Sequence, residues 1–154
     1  PIVDVGTGPG FRGIPLKIRY PHLKMILAEP RPKRVEFLHE VIRELGLKDI
    51  EVFEHRVVSQ SLTTPVQAVI TRAVETIDKT LLRTSASLVQ GGQLIFMKGP
   101  NVDDEIREVR RRFGKAYELK LDQHYTLPFS THHRRLVVYE RTTAPQVSDT
   151  PESE

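Results

Sequence analysis

The chain has 154 residues, no cysteine, a net charge of +3 and an isoelectric point near 9.3. That length suits one domain with a sizeable core, the lack of cysteine excludes disulfides and thiolate zinc sites, and neither a bilayer-length apolar run nor a signal-peptide pattern is present. Apolar residues at 38% and charged residues at 28% read as a soluble globular chain, whose mild basicity fits a polyanionic partner and an ordinary solvated surface equally well.

In chain order, Ile2, Val3 and Val5 predict a short buried strand with Asp4 near its end, followed by Gly6, Gly8 and Gly10. A strand, a glycine-rich turn and a helix form a nucleotide cradle at the carboxyl edge of an α/β sheet. The first helix is expected over Phe11 to Arg19, ending before Pro21. Met25 to Leu27 predicts the second strand. Pro32 opens the second helix, with Val35, Leu38, Val41, Ile42 and Leu45 at helical spacing and Gly46 as its cap. Ile50 to Phe53 and Ala68 to Ile70 predict the third and fourth strands. A helix is expected over Ile77 to Leu88, with Leu81, Leu82 and Leu88 inward. Gly91-Gly92 predicts a turn into a fifth strand, Gln93 to Met97.

Val102 to Phe113 reads as a charged helix carrying Arg107, Arg110, Arg111 and Arg112, in which a solvated face is the simplest interpretation. Tyr117 to Tyr125 and Leu136 to Glu140 predict two final strands. The intervening loop, Leu127 to Arg135, is basic, and its His132-His133 pair lacks a third residue at metal-ligand spacing, so no metal site is expected. Residues 1–141 are read as one domain. Residues 142–154, rich in Ser, Thr, Pro and acidic residues, are expected to be a disordered tail. The alternation of elements predicts a mostly parallel sheet with helices on both faces.

The glycine run allows two parses. Gly8-Pro-Gly10-Phe-Arg-Gly13 satisfies the dinucleotide pattern G-x-G-x-x-G. Its first glycine, however, lies three residues beyond Val5, and Pro9 removes an N–H that a pyrophosphate would use. The other parse, Asp4-Val-Gly-Thr-Gly-Pro-Gly10, resembles motif I of the class I S-adenosylmethionine-dependent methyltransferases. That resemblance implies a Rossmann-like α/β fold whose last strand is antiparallel.

A closer likeness extends along residues 1–140. Asp4-Val-Gly-Thr-Gly-Pro-Gly-Phe-Arg-Gly-Ile-Pro15, Glu29-Pro-Arg-Pro-Lys-Arg-Val-Glu-Phe-Leu38, Glu44-Leu-Gly-Leu47, Thr71-Arg-Ala-Val74 and Gly91-Gly-Gln-Leu-Ile-Phe-Met-Lys-Gly99 resemble, in order, motifs of the RsmG/GidB family. The resemblance implies a cytoplasmic, monomeric enzyme. It would methylate ring nitrogen 7 of a guanine in small-subunit ribosomal RNA, without metal or membrane. Members of that family carry a helical segment before this point, so a chain that opens inside its first strand is expected to lack that segment.

By the same resemblance, S-adenosyl-L-methionine would be held by Asp4, Gly6, Thr7, Gly8, Gly10, Phe11, Glu29, Pro30, Arg56, Val57, Val58 and Arg72. Asp4 suits the cationic amino-acid end of that cofactor. Glu29, closing the second strand, suits the two ribose hydroxyls; the family more often has aspartate there. Val58 stands where the family has glutamate, which leaves backbone groups to read the adenine edge and Val57 to pack on its face. Arg72 is the candidate catalytic residue, gripping a phosphate, the base oxygen or the cofactor carboxylate; a structural ion pair is the competing role. Arg12, where the family commonly has proline, joins Lys98, Arg134 and Arg135 as candidate RNA contacts.

Guanine nitrogen 7 carries a free lone pair at neutral pH, so such a reaction needs positioning and water exclusion rather than a general base. Two other readings remain. One is a methyltransferase of the same fold acting on a small molecule or protein. The other is a cofactor- or RNA-binding module without turnover.

Overall fold

The computed structural model describes residues 1–59, 61–72 and 75–143. Strand β1 (Ile2–Val5) leads into helix α1 (Gly13–Arg19), and β2 (Met25–Ala28) into α2 (Pro32–Glu44). There follow β3 (Ile50–Phe53), β4 (Val66–Thr71), α3 (Ile77–Thr84), β5 (Leu88–Lys98), α4 (Asp103–Phe113) and a hairpin of β6 (Tyr117–Thr126) and β7 (His133–Arg141). The strands form one sheet in the order β3-β2-β1-β4-β5-β7-β6. Neighbours among β1 to β5 pair in parallel, whereas β7 is antiparallel to both β5 and β6.

Local chemistry explains these elements. The four side chains of β2, Met-Ile-Leu-Ala, are all buried, as a parallel strand covered on both faces requires. Pro32 at the start of α2 supplies a preset helical φ without losing a needed N–H. The helix stops at Gly46, whose φ is 61°. The Gly46 N–H donates to Arg43 O at 3.1 Å and that of Leu47 to Ile42 O at 3.0 Å, a Schellman ending. One sheet face packs Ile14, Met25, Leu27 and Leu38 beneath α1 and α2. The other packs Ile77, Leu81, Phe96, Val109, Val137 and Tyr139 beneath α3 and α4.

The chain runs outward from β1 to β2 and β3 on one side, then returns to β4 on the other side of β1. At such a reversal the loops after neighbouring strands diverge and leave a crevice at their carboxyl ends. The turn after β1 opens into that crevice.

Several boundaries differ from the sequence reading. Helix α1 begins at Gly13, because residues through Arg12 complete the glycine turn. Helix α3 ends at Thr84, and Leu88 opens β5 with no exposed surface. Gly91 and Gly92 lie within β5, beside a register shift against Val66 and Ala68, so they form an irregularity inside the strand. His133, Arg134 and Arg135 belong to β7, with Arg135 paired to Lys98 and His124. Of the expected tail, residues 142–154, Thr142 is tied to the domain, its N–H donating to Ala116 O at 2.9 Å, while residues 144–154 lie outside the described residues.

Candidate functional site

The turn after β1 is drawn tightly around its own side chains. Gly6, Gly8 and Gly10 have φ of 65°, 59° and 87°, a region costly for residues with a Cβ. At Gly10 a Cβ would also come within 2.6 Å of Ile14 and 2.9 Å of Leu38, so glycine there brings α1 and α2 against the loop. The Thr7 N–H donates to Ala28 O at 3.0 Å, which ties the loop to the end of β2.

Glu29, 3% exposed, follows β2 and binds the loop from the other side. Its Oε2 accepts the Gly8 N–H at 2.9 Å and its Oε1 accepts the Arg31 N–H at 3.2 Å. A carboxylate offers about four lone-pair directions. Two backbone donors therefore fix this one while leaving capacity for a pair of ligand hydroxyls. The Glu29 N–H in turn donates to Phe53 O at 3.0 Å.

Asp4 is fully buried. Its Oδ2 accepts from Thr7 Oγ1 at 2.7 Å and from the Gly13 N–H at 3.0 Å. Its Oδ1 accepts from Arg12 Nε at 3.0 Å and lies 2.9 Å from Arg12 Nη2. Burial pushes the Asp4 carboxyl above the ordinary range, against the pull of Arg12, Thr7 and the Gly13 N–H. Arg12 Nη2 also donates to Gly6 O at 2.9 Å. Arg12, expected to contact RNA, thus closes over the acid rather than standing out toward solvent.

The adenine side also departs from expectation. Val57, expected to pack on the adenine face, is 2% exposed and belongs to the core beneath α3 and α4. Val58 is 45% exposed. Its N–H donates to Ser61 Oγ at 2.9 Å and its carbonyl accepts from the same hydroxyl at 2.7 Å. Arg56, Pro30 and Phe11 are exposed.

Arg72 follows Thr71 at the end of β4 and is exposed; Ala73 and Val74 of the same motif lie outside the described residues. It lines a cavity of about 250 Å³ with Lys98, Gly99, Pro100, Asn101 and Glu105. Lys98 is 8% exposed; its Nζ lies 2.8 Å from Glu105 Oε1 and donates to Glu75 O at 2.9 Å. Glu105 Oε1 also accepts the Ile77 N–H at 2.9 Å. Lys98 therefore braces β5 against α3 and α4 from the cavity wall.

Arg135 is likewise structural. At 3% exposure it grips both oxygens of Asp122, at 3.0 and 2.6 Å, and reaches Asp103 at 2.8 Å. The bonds to Asp122 hold its guanidinium well above its ordinary pKa. Arg134 is half-buried and donates to the His133 carbonyl at 3.0 Å. Of the four cations expected near the cleft, Arg12, Lys98 and Arg135 are each paired with a carboxylate of the chain, and Lys98 shares the cavity wall with Arg72.

Sequence reasoning passed over the start of α2. Arg34 Nη1 lies 3.6 Å from where a Cβ on Gly8 would stand, beside the loop. Among the described residues Arg31, Lys33, Arg34, Arg56 and Arg72 are exposed and in no ion pair. The signal was present: Lys33 and Arg34 occupy a first helical turn with no acidic residue, where the helix dipole favours acids. Among the described residues no group of three His, Asp or Glu could hold a metal ion, and no helix is long and apolar enough to cross a membrane.

Comparison with known proteins gives consistent results. The family model for rRNA small subunit methyltransferase G, GidB, matches residues 1–137. Ribosomal RNA small subunit methyltransferase G 2 of Bdellovibrio bacteriovorus is 47% identical over 141 residues, covering 92% of this chain and 55% of that protein. The protein of the same name from Syntrophobacter fumaroxidans is 47% identical over 145 residues, covering 94% of this chain and 29% of its own length. The chain thus spans about half or less of the length of these relatives. Among solved structures, an rRNA methylase from Streptococcus thermophilus superposes with a TM-score of 0.67 at 17% identity, covering 92% of this chain and 86% of that one. Magnesium protoporphyrin IX methyltransferase from Synechocystis, solved with bound S-adenosylmethionine, gives 0.70 at 15% identity, covering 92% and 69%. At those identities the likeness is one of fold: a class I methyltransferase sheet with an antiparallel strand toward one edge.

Proposed function

Because the chain belongs to the rRNA small subunit methyltransferase G (GidB) family, we propose that it transfers the methyl group of S-adenosylmethionine to ring nitrogen 7 of a guanine in small-subunit ribosomal RNA, as a monomer in the cytoplasm. The observation that carries the reading is the knot of Asp4, the glycine turn and Glu29. It sets one buried acid beside the loop and a second, already oriented by two N–H donors, at the end of the next strand.

This donor set suits the cofactor. Glu29 retains acceptor capacity for two ribose hydroxyls. Gly6 and Gly8 carry no side chain, so a ligand can lie against the backbone there. Asp4 supplies negative charge for the amino-acid end. The cofactor, when bound, contributes an electrophilic methyl group on a sulfonium. The chain's own part is to orient and to exclude water. Guanine nitrogen 7 needs no base, in keeping with a cavity wall of Arg72, Lys98, Asn101 and Glu105 in which Lys98 and Glu105 neutralise one another. Arg72 projects a fixed positive charge at that cavity, suited to a phosphate or to the base oxygen.

Support for a polyanionic substrate over a small molecule comes from the exposed cations beside the crevice, Arg31, Lys33, Arg34, Arg56 and Arg72, which form no ion pair among the described residues. The test is transfer from labelled cofactor to small ribosomal subunits and to naked RNA, with the product base identified by mass spectrometry. Label in N7-methylguanine supports the proposal. Label only in protein or small molecules, or none with a folded chain, rejects it.

A further inference from the structure

A cationic ligand end placed at the junction of β1 and its loop needs acceptors, and Asp4 and the Gly6 carbonyl offer them. Both are held by a cation of the chain. Arg12 Nε donates to Asp4 Oδ1 at 3.0 Å, and Arg12 Nη2 lies 2.9 Å from that oxygen and 2.9 Å from Gly6 O. The other Asp4 oxygen is committed to Thr7 Oγ1 and the Gly13 N–H. The Arg12 side chain is only 13% exposed and that of Asp4 is fully buried, so little water intervenes. Arg12 reaches this place from the residue before α1, its side chain making no capping bond to that helix.

We propose that Arg12 is the resident occupant of the subsite for the cofactor's amino-acid end, and that its guanidinium and the ligand's α-ammonium exclude each other there. The inference rests on the methyltransferase reading above. Both groups are positive, both donate N–H bonds, and both would use the same two acceptors. Two like charges at hydrogen-bonding distance in a water-poor site repel strongly. Exchange of one for the other keeps Asp4 paired in either state, so the swap leaves no buried carboxylate uncompensated. The cofactor then binds only the fraction of molecules in which Arg12 has swung away, and its apparent affinity falls by that fraction. A nucleoside without the amino-acid end would not meet this competition.

The test is calorimetric titration of the full chain with S-adenosylhomocysteine and with methylthioadenosine, which lacks the amino-acid end. Wild type is compared with Arg12→Gln and Arg12→Ala. Both variants should bind S-adenosylhomocysteine about tenfold tighter, the gain for an open fraction of about one in ten, while methylthioadenosine affinity stays unchanged. In wild type the Arg12 Nε–H resonance should lose its protection from solvent exchange on adding S-adenosylhomocysteine and keep it with methylthioadenosine. This readout needs no variant to fold. Weaker S-adenosylhomocysteine binding in both variants would make Arg12 an anchor and overturn the proposal, as would equal affinity or an unchanged resonance. No binding of either ligand to wild type or to variants of unchanged melting temperature would overturn the cofactor reading itself, and this inference with it.

Discussion

Glu29 is held by two backbone donors while buried to 3% exposure, so it carries both a structural and a binding duty. Hydrogen bonds to a charged acceptor are worth about 1.5–3 kcal/mol each. Glu29→Ala, losing two such bonds to the ribose, should therefore weaken S-adenosylhomocysteine binding by roughly a hundredfold or more and also lower the melting temperature, because the Gly8 and Arg31 N–H groups lose their acceptor. Calorimetry alongside thermal melts checks both effects, and unchanged affinity would remove Glu29 from the ribose. Arg72 presents the opposite case, an exposed side chain in no ion pair with any described residue. Arg72→Ala should leave the stability within about 0.5 kcal/mol of wild type while abolishing methyl transfer. Cofactor affinity decides its partner: retained if Arg72 meets RNA, lost if it anchors the cofactor carboxylate. Position along the chain made both residues visible in the sequence, since each closes a parallel strand. The fate of Arg12 was not visible, because only the folded turn brings its guanidinium back onto Asp4.

Helix α2 breaks a local rule at its first turn. Lys33 and Arg34 stand at the positive end of the helix dipole, with no acid in the turn and no side-chain cap. Each unfavourable charge there costs about 0.3–1 kcal/mol at low salt. Such violations concentrate where function requires them. The double variant Lys33→Glu, Arg34→Glu should accordingly melt higher at low ionic strength. Its affinity for ribosomal RNA should fall, with the salt slope flatter by about one unit for each phosphate that the variant no longer neutralises. A filter-binding series across salt concentrations decides this, and unchanged slopes would leave the turn as ordinary surface. The junction of β6, β7 and α4 behaves differently. Hydrogen bonds from Arg135 hold the Asp122 carboxyl below its ordinary range. An acid whose folded pKa is depressed stabilises the fold above its unfolded value, about 3.9, and that contribution disappears as pH falls through the folded value. Thermal melts from pH 7 down to pH 2 should show Asp122→Asn losing less stability across that acid window than wild type does.

Across the whole molecule, the parallel half of the sheet was legible because its strands are short apolar runs bounded by Gly, Pro or a helix start. The sequence misled where two periodicities coincide. Leu81 and Leu88 are seven apart and mimic one helical face, yet the chain turns at residues 85–87 and Leu88 begins β5. Gly91-Gly92 looked like a turn because a strand irregularity uses the same residues. The partners of the expected RNA-contacting cations were hidden for a longer-range reason: Lys98 meets Glu105 and Glu75, and Arg135 meets Asp122 and Asp103, pairings that residue type alone does not announce. A last consequence follows from strand direction. Strand β1 starts at the sheet edge away from the glycine turn, where Pro1 O accepts the Gln67 N–H at 3.0 Å. Strand β7, antiparallel to β5, carries the chain back to that same edge, with Glu140 opposite Gln93. Both ends of residues 1–143 therefore leave on the rear of the molecule, separated from the crevice by the height of the sheet. A chain immobilised on a sensor surface through a residue of that rear edge, such as Gln67 or Glu140, should present its crevice to solution, and ligand association rates measured that way should match those of the free chain.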